Sequence, residues 1–133
     1  MKRRHFMQTA GVASIALVAS ASLSGCSNQA ATLQGGEILH TVMFNLRWEL
    51  DSAQSKKFID DAKAILPSIG TVQDFQVFRQ VSPKNDFIFG FYMKFASKKD
   101  YDTYNEHPDH LAFVNDRWIP EVAQFQEADF INE

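Results

Sequence analysis

Tyr104, His107 and His110 recur at intervals of three within Tyr104-Asn105-Glu106-His107-Pro108-Asp109-His110. On a continuous helix that spacing puts side chains on one side. An imidazole titrates at about pH 6.5, so it can take up a proton near neutrality. A phenol beside it can hold it in place. Tyr104 and His110 are therefore the candidate catalytic pair, a general base with a phenol partner. The plainer alternative is that both hydrogen-bond at a rim and do no chemistry. Pro108 interrupts the helical face, since its ring cannot continue a preceding helix. The three polar aromatic groups would then converge at a mouth. His107, just before the proline, is expected to cap or pack between two helices at the edge of any ligand site. His107, His110 and Asp109 have donor types suited to zinc, but the broken face argues against it. No metal and no other cofactor is expected.

The elements that position these groups follow from periodicity. Ile38, His40, Val42, Phe44, Leu46 and Trp48 alternate with Leu39, Thr41, Met43, Asn45 and Arg47. Period two predicts a strand. His40 is the lone polar residue on its apolar face, where a satisfied core histidine is the expected role. Asp51 or Ser52 then offers a helix cap. Phe58, Ile59, Ala62, Ile65 and Leu66 follow at helical spacing, stopped near Pro67 and Gly70. Residues 72–81 read as a second strand, and Ser82-Pro83-Lys84-Asn85-Asp86 as a turn.

Phe87, Phe89, Phe91, Met93 and Phe95 alternate with Ile88, Gly90, Tyr92 and Lys94 in the strongest strand pattern of the chain. Apolar residues on both faces predict a central position. Gly90 suggests a close neighbour or a bend. Ser97-Lys98-Lys99-Asp100 has capping-box form and predicts a short helix to about residue 105. Pro108 suits the first position of another helix, running to about residue 118 and ended by Pro120. Residues 122–131 read as a last strand, although their alternation is poor.

The order β-α-β-β-α-(α)-β is the split βαβ pattern of ferredoxin-like α+β folds. It predicts a four-stranded antiparallel sheet with helices on one face. The other face is too aromatic to leave in water. Pairing sheet to sheet with a second copy would cover it and give a homodimeric α/β barrel.

The first 25 residues read differently. Lys2, Arg3 and Arg4 precede a small, apolar run that ends in Leu23-Ser24-Gly25-Cys26. The run is shorter than the roughly 20 apolar residues needed to span a bilayer, so residues 1–25 are expected to be a signal peptide. Leu-Ser-Gly-Cys resembles a bacterial lipobox, in which the cysteine is acylated. Arg3 and Arg4, followed by Phe6, resemble a twin-arginine export signal; the alternative is a general secretory signal in which the arginines are incidental. Residues 26–36 would then be a lipidated N-terminus and flexible tether, and residues 37–133 the domain. Anchoring through acyl chains on Cys26 places the protein at the periplasmic side of the cell envelope.

Charge and cysteine exclude other classes. The chain has 13 Lys and Arg against 16 Asp and Glu. The three basic residues of the leader come off with it, and every acid stays. The domain is thus clearly acidic, with no basic stripe for nucleic acid. Cys26 is the only cysteine, so no intramolecular disulfide or thiolate metal site can form.

His40 at the start of a strand, Phe95-x-Ser97 before a helix, and Tyr104-x-x-His107-Pro108-x-His110-x-x-Phe113 resemble the stress-responsive A/B barrel, or Dabb, domain. The resemblance runs from about Glu37 to Ile131. It implies a ferredoxin-like homodimer whose barrel can hold a small organic ligand. In the polyketide-cyclising branch of that family, the residues matching Tyr104 and His110 form the catalytic pair. Residues matching Val42, Phe44, Phe91 and Phe113 line its pocket. An assisting histidine of that branch is replaced here by Phe89. Phe89 and His107 complete the expected ligand-contact set.

Three functions follow as expectations. The first is a lipid-anchored binder of a small hydrophobic or aromatic molecule. The second is a cyclase- or isomerase-like enzyme using Tyr104 and His110. The third is a structural dimer with a filled barrel.

Overall fold

The computed structural model describes residues 32–133. Arg3, Arg4 and Cys26, and with them the leader and lipidation site, lie outside the described residues.

The elements run β1 (Ile38–Leu46), α1 (Ala53–Ile65), β2 (Gln73–Arg79), β3 (Phe89–Phe95), α2 (Lys98–Glu106), α3 (Pro108–Phe113) and β4 (Val122–Phe130). Short 3-10 and π turns cover Leu66–Ser68 and Val114–Trp118, and one helical turn covers Ile119–Glu121. The strands form one antiparallel sheet in the order β2-β3-β1-β4. That is the expected ferredoxin-like α+β topology.

Local chemistry explains the boundaries. The Ser52 hydroxyl accepts from Ser55 N at 3.1 Å and starts α1, satisfying a backbone donor that the helix itself cannot. Ser97 caps α2 in the same way, accepting from Asp100 N at 3.1 Å. Pro108 is the first residue of α3 as anticipated, and His107 caps it through Nδ1, which accepts from Asp109 N. The helix expected to reach residue 118 instead widens after Phe113 into the π turn. Asp74 has φ of 52° where the β2–β3 register slips between Gln73 and Gln76. This is a bulge, a device that bends a strand.

At the start of the described residues, Gln34 to Glu37 close a turn. Glu37 N donates to the Gln34 carbonyl at 3.1 Å, Gly36 takes φ of 87°, and Glu37 reaches Lys94 at 3.3 Å. A Cβ at Gly90 would meet only the Val42 carbonyl, at 3.9 Å, so no close approach within the chain requires the glycine.

The pleat divides the sheet into two faces. One carries His40, Val42 and Phe44 beside Met93, Phe91 and Phe89, and the helices cover it. Phe44, Phe58 and Phe95 are fully buried there. Phe44 meets Phe91 edge-on at 4.6 Å and Phe58 at 5.8 Å, favourable aromatic geometry. The phenylalanine stripe of β3 is therefore spent on this internal core. The other face presents Leu39, Met43 and Tyr92, with Phe78 and Phe130 about half exposed.

Phe58 packs α1 onto β1 and β3. Phe58→Ala should lower the unfolding free energy by about 3–5 kcal/mol, read from urea denaturation of the domain. Lys57→Ala removes only the exposed pair with Asp61 and should change it by less than about 1 kcal/mol.

Candidate functional site

Between the sheet and its helices lies a cavity of about 310 Å³. β1 and β3 form its floor with His40, Val42, Phe91 and Met93. α2, α3 and the π turn form its roof with Tyr104, Asn105, His110, Phe113 and Trp118. Phe125 and Glu127 of β4 close one side. The volume sits at the small end of ligand pockets, and the pattern of apolar walls with a few polar groups is typical of them. A larger hollow of about 580 Å³, over residues 85–87 and 123–125, contains no imidazole or phenol.

Of the anticipated residues, Tyr104, His110, Val42, Phe91 and Phe113 meet at this cavity. Phe44, Phe89 and His107 do not line it. Phe44 is buried in the aromatic core beneath Trp118, at 5.1 Å between rings. Phe89 faces Asp51, Ile59 and Arg79 at the other end of the sheet. His107 is occupied with capping α3. The cavity also lies within one chain. The barrel interior expected between two sheets would be lined by the opposite face, where none of these residues points.

Tyr104 is 3% exposed, and its hydroxyl has no hydrogen-bond partner among the described residues. Burial, with Glu127 nearby, pushes its pKa upward, so the phenol stays protonated. The His110 ring packs against it at a tilt, with centroids 4.2 Å apart at 37°. The two meet through their rings, and no hydrogen bond joins them. His110 Nδ1 lies 3.2 Å from the Asn105 carbonyl. A carbonyl only accepts, so Nδ1 carries the hydrogen and Nε2 the lone pair. Burial lowers the His110 pKa below its usual 6.5, and repulsion from His40 and His107 adds to this.

His40 is buried and hydrogen-bonded through Nδ1, and it also lines the cavity. Its Nδ1 sits 2.6 Å from Asp129 Oδ1, its cross-strand partner in the β1–β4 register. Tyr101 donates toward Asp129 Oδ2 at 2.8 Å and lies 3.1 Å from Glu127 Oε1. Sequence reasoning missed Tyr101, Glu127 and Asp129. The poor alternation of β4 hid the two acids, and the strand pairing that joins residues 40 and 129 has no local signal.

His40, Glu127 and Asp129 are the one group among the described residues whose donor atoms gather closely enough for a cation, all within 4.8 Å. Their hydrogen bonds already engage His40 Nδ1 and Asp129. The His107, His110 and Asp109 set does not converge: His107 Nδ1 is 3.9 Å from Asp109, and His110 turns to the cavity.

A single antiparallel sheet with one helical face and a cavity beneath it defines a ferredoxin-like α+β protein. The Stress responsive A/B Barrel Domain (Dabb) family model matches residues 38–132, and the chain belongs to that family. It is similar to a Dabb-family protein from Mesorhizobium loti with a ferredoxin-like fold: 50% identity, TM-score 0.73, covering 74% of this chain and 98% of that one. A dimeric ferredoxin-like protein from Bacteroides fragilis is 20% identical, with TM-score 0.58 over 76% of this chain and 100% of that one. The hydroxynitrile lyase from Passiflora edulis is 15% identical, with TM-score 0.66 over 75% and 96%. No curated protein sequence matches the chain.

The lowered pKa of His110 has a defined consequence. Between the folded value and 6.5, the unfolded chain binds a proton that the folded chain does not. Stability therefore rises with pH across that window and is lost as pH falls through it. Urea midpoints measured from pH 5 to pH 7.5 should show this slope, and His110→Gln should flatten it.

Proposed function

We propose that this protein binds a small, mostly apolar molecule carrying an oxygen function, in the cavity between sheet and helices of each chain. The observation that carries this reading is the unpartnered Tyr104 hydroxyl among walls of Val42, Phe91, Phe113 and Trp118. That hydroxyl opens on the cavity and is not sealed in the core, so it can donate to a ligand oxygen in place of water. A merely filled core would leave no such space.

We also propose that the protein acts as an envelope-anchored homodimer. The dimeric relatives from Bacteroides fragilis, Thermobifida fusca and Jannaschia share its fold, and Phe78, Tyr92 and Phe130 offer an apolar face for a second copy. The anchor rests on the lipobox-like Leu23-Ser24-Gly25-Cys26, and twin-arginine export on Arg3 and Arg4.

An enzymatic reading has its own support. An imidazole held uncharged and a protonated phenol line one cavity. That pairing suits proton transfer on a carbonyl compound, as in a cyclase or isomerase.

Native mass spectrometry of the domain, purified gently from its host, should show a dimer carrying an added small mass. Tyr104→Phe should weaken retention of that mass about tenfold, the equivalent of one hydrogen bond. An empty dimer that binds no member of a panel of aromatic acids and ketones would sink the binding reading. For the anchor, Cys26→Ser should abolish incorporation of an alkyne-tagged fatty acid and move the protein from the membrane to the soluble fraction.

A further inference from the structure

We propose that His40 is the proton-accepting group of this cavity, with Asp129 and Tyr101 holding its Nε2 lone pair toward the ligand. The inference rests on the cavity being a ligand site and names what it would do there.

The geometry assigns the roles. Asp129 Oδ1 lies 2.6 Å from His40 Nδ1. A carboxylate only accepts, so the imidazole hydrogen sits on Nδ1 and Nε2 keeps its lone pair. The Tyr101 hydroxyl, 2.8 Å from Asp129 Oδ2, fixes the far side of that carboxylate. Tyr101 also lies against the His40 ring at a tilt, with centroids 5.3 Å apart and its hydroxyl 3.3 Å from Nδ1. The ring is thus fixed on its Nδ1 side by β4 and α2. His40 is 7% exposed and lines the cavity, and Nε2 has no hydrogen-bond partner among the described residues.

His110 lacks this support. Its Nδ1 faces a peptide carbonyl, which orients the ring but carries no full charge to stabilise an imidazolium. A carboxylate behind an imidazole does both, holding the tautomer and stabilising the cation once the proton arrives. Of the two imidazoles, only His40 has a carboxylate behind its ring. His110 and Tyr104 belong to the opposite wall, where the Tyr104 ring lies 6.2 Å from that of His40.

The fitting substrate class is a small, largely apolar ketone with an acidic C–H next to its carbonyl. The proton passes from that carbon to His40 Nε2. The C–H electron pair becomes an enolate, whose oxygen accepts a hydrogen bond from Tyr104. Return of that proton to the other face or to another carbon gives an isomer; in D₂O, replacement of the proton on Nε2 by a solvent deuteron before its return gives exchange, with nothing else consumed.

Two measurements test this, both on residues 32–133. A relative of 50% identity folds as a chain covered over 98% of its length by this domain, so no further segment is needed. Long-range ¹H–¹⁵N spectra should show His40 with hydrogen on Nδ1, and Asp129→Asn should reverse the tautomer. Next, 2-tetralone in D₂O serves as the probe, with binding read by native mass spectrometry and loss of its α-proton signal by NMR. The wild-type domain should accelerate exchange above solvent. His40→Gln should abolish that acceleration, and Asp129→Asn, at a half-exposed edge position, should reduce it at least about tenfold. Lys57→Ala should leave it unchanged.

Hydrogen on Nε2 in the wild type would overturn the assignment outright. Exchange that survives His40→Gln but not His110→Gln would give the role to His110. Bound 2-tetralone without accelerated exchange would refute the base while leaving the binding site standing. Failure to bind at all would remove both.

Discussion

The pleat of β1 is the constraint on which the rest of this structure depends. Side chains alternate across a strand, so His40, Val42 and Phe44 must share a face. The register with β3 sets Met93, Phe91 and Phe89 beside them. A slip of one residue would turn this whole set to the other side. The face so defined is core at one end and cavity at the other. Around Phe44, the rings of Phe58, Phe89 and Phe91 fill the space. Around His40 and Val42 the same sheet meets a roof that leaves a gap. One hydrophobic surface thus supplies both stability and a site.

The roof explains why the gap persists. Pro108 cannot continue α2, so the chain restarts as α3 with His107 as its cap. After Phe113 the helix widens into a π turn, a form frequent at functional sites. That turn carries Trp118 to the cavity wall, where it also meets Phe44, Phe91 and Phe125. Arg117, in the same turn, pairs with Asp61 and Glu121 and lies over the Phe58 ring at 5.6 Å. The irregular segment is therefore tied to α1, and the cavity wall is held in place.

Much of this was legible in sequence, for identifiable reasons. Alternation in β1 and β3 marked the two central strands, and Ser52, Ser97 and Pro108 marked helix starts through local hydrogen-bonding chemistry. Tyr104, His110, Val42, Phe91 and Phe113 do meet. Other features depend on partners distant in sequence. Phe44 and Phe89 have the same character as Phe91 in a sequence, yet only the tilt of the helices over the sheet decides which residues border empty space. The edge strand β4 is mostly exposed, so no hydrophobic period announced that Glu127 and Asp129 face His40. The π turn carries no composition signal distinct from an ordinary helix.

The strongest argument that the cavity is more than a packing defect concerns its polar atoms. Apolar voids in proteins are dry and cost little in hydrogen bonding. This one is bordered by two imidazoles, a phenol, an amide and a carboxylate. A buried polar group is tolerated when it is satisfied, and the structure satisfies only one side of each ring: Asp129 takes His40 Nδ1, and Asn105 takes His110 Nδ1. The atoms left over, Nε2 of both imidazoles and the Tyr104 hydroxyl, belong to residues that line the cavity. An acceptor on one wall and a donor on another describe a complementary guest, with a polarised C–H or O–H at one end and an oxygen at the other. Val42, Phe91 and Trp118 require the remainder of that guest to be apolar. A core optimised for stability alone would replace these groups with aliphatic side chains, since burying polar atoms beside empty space gains nothing for the fold.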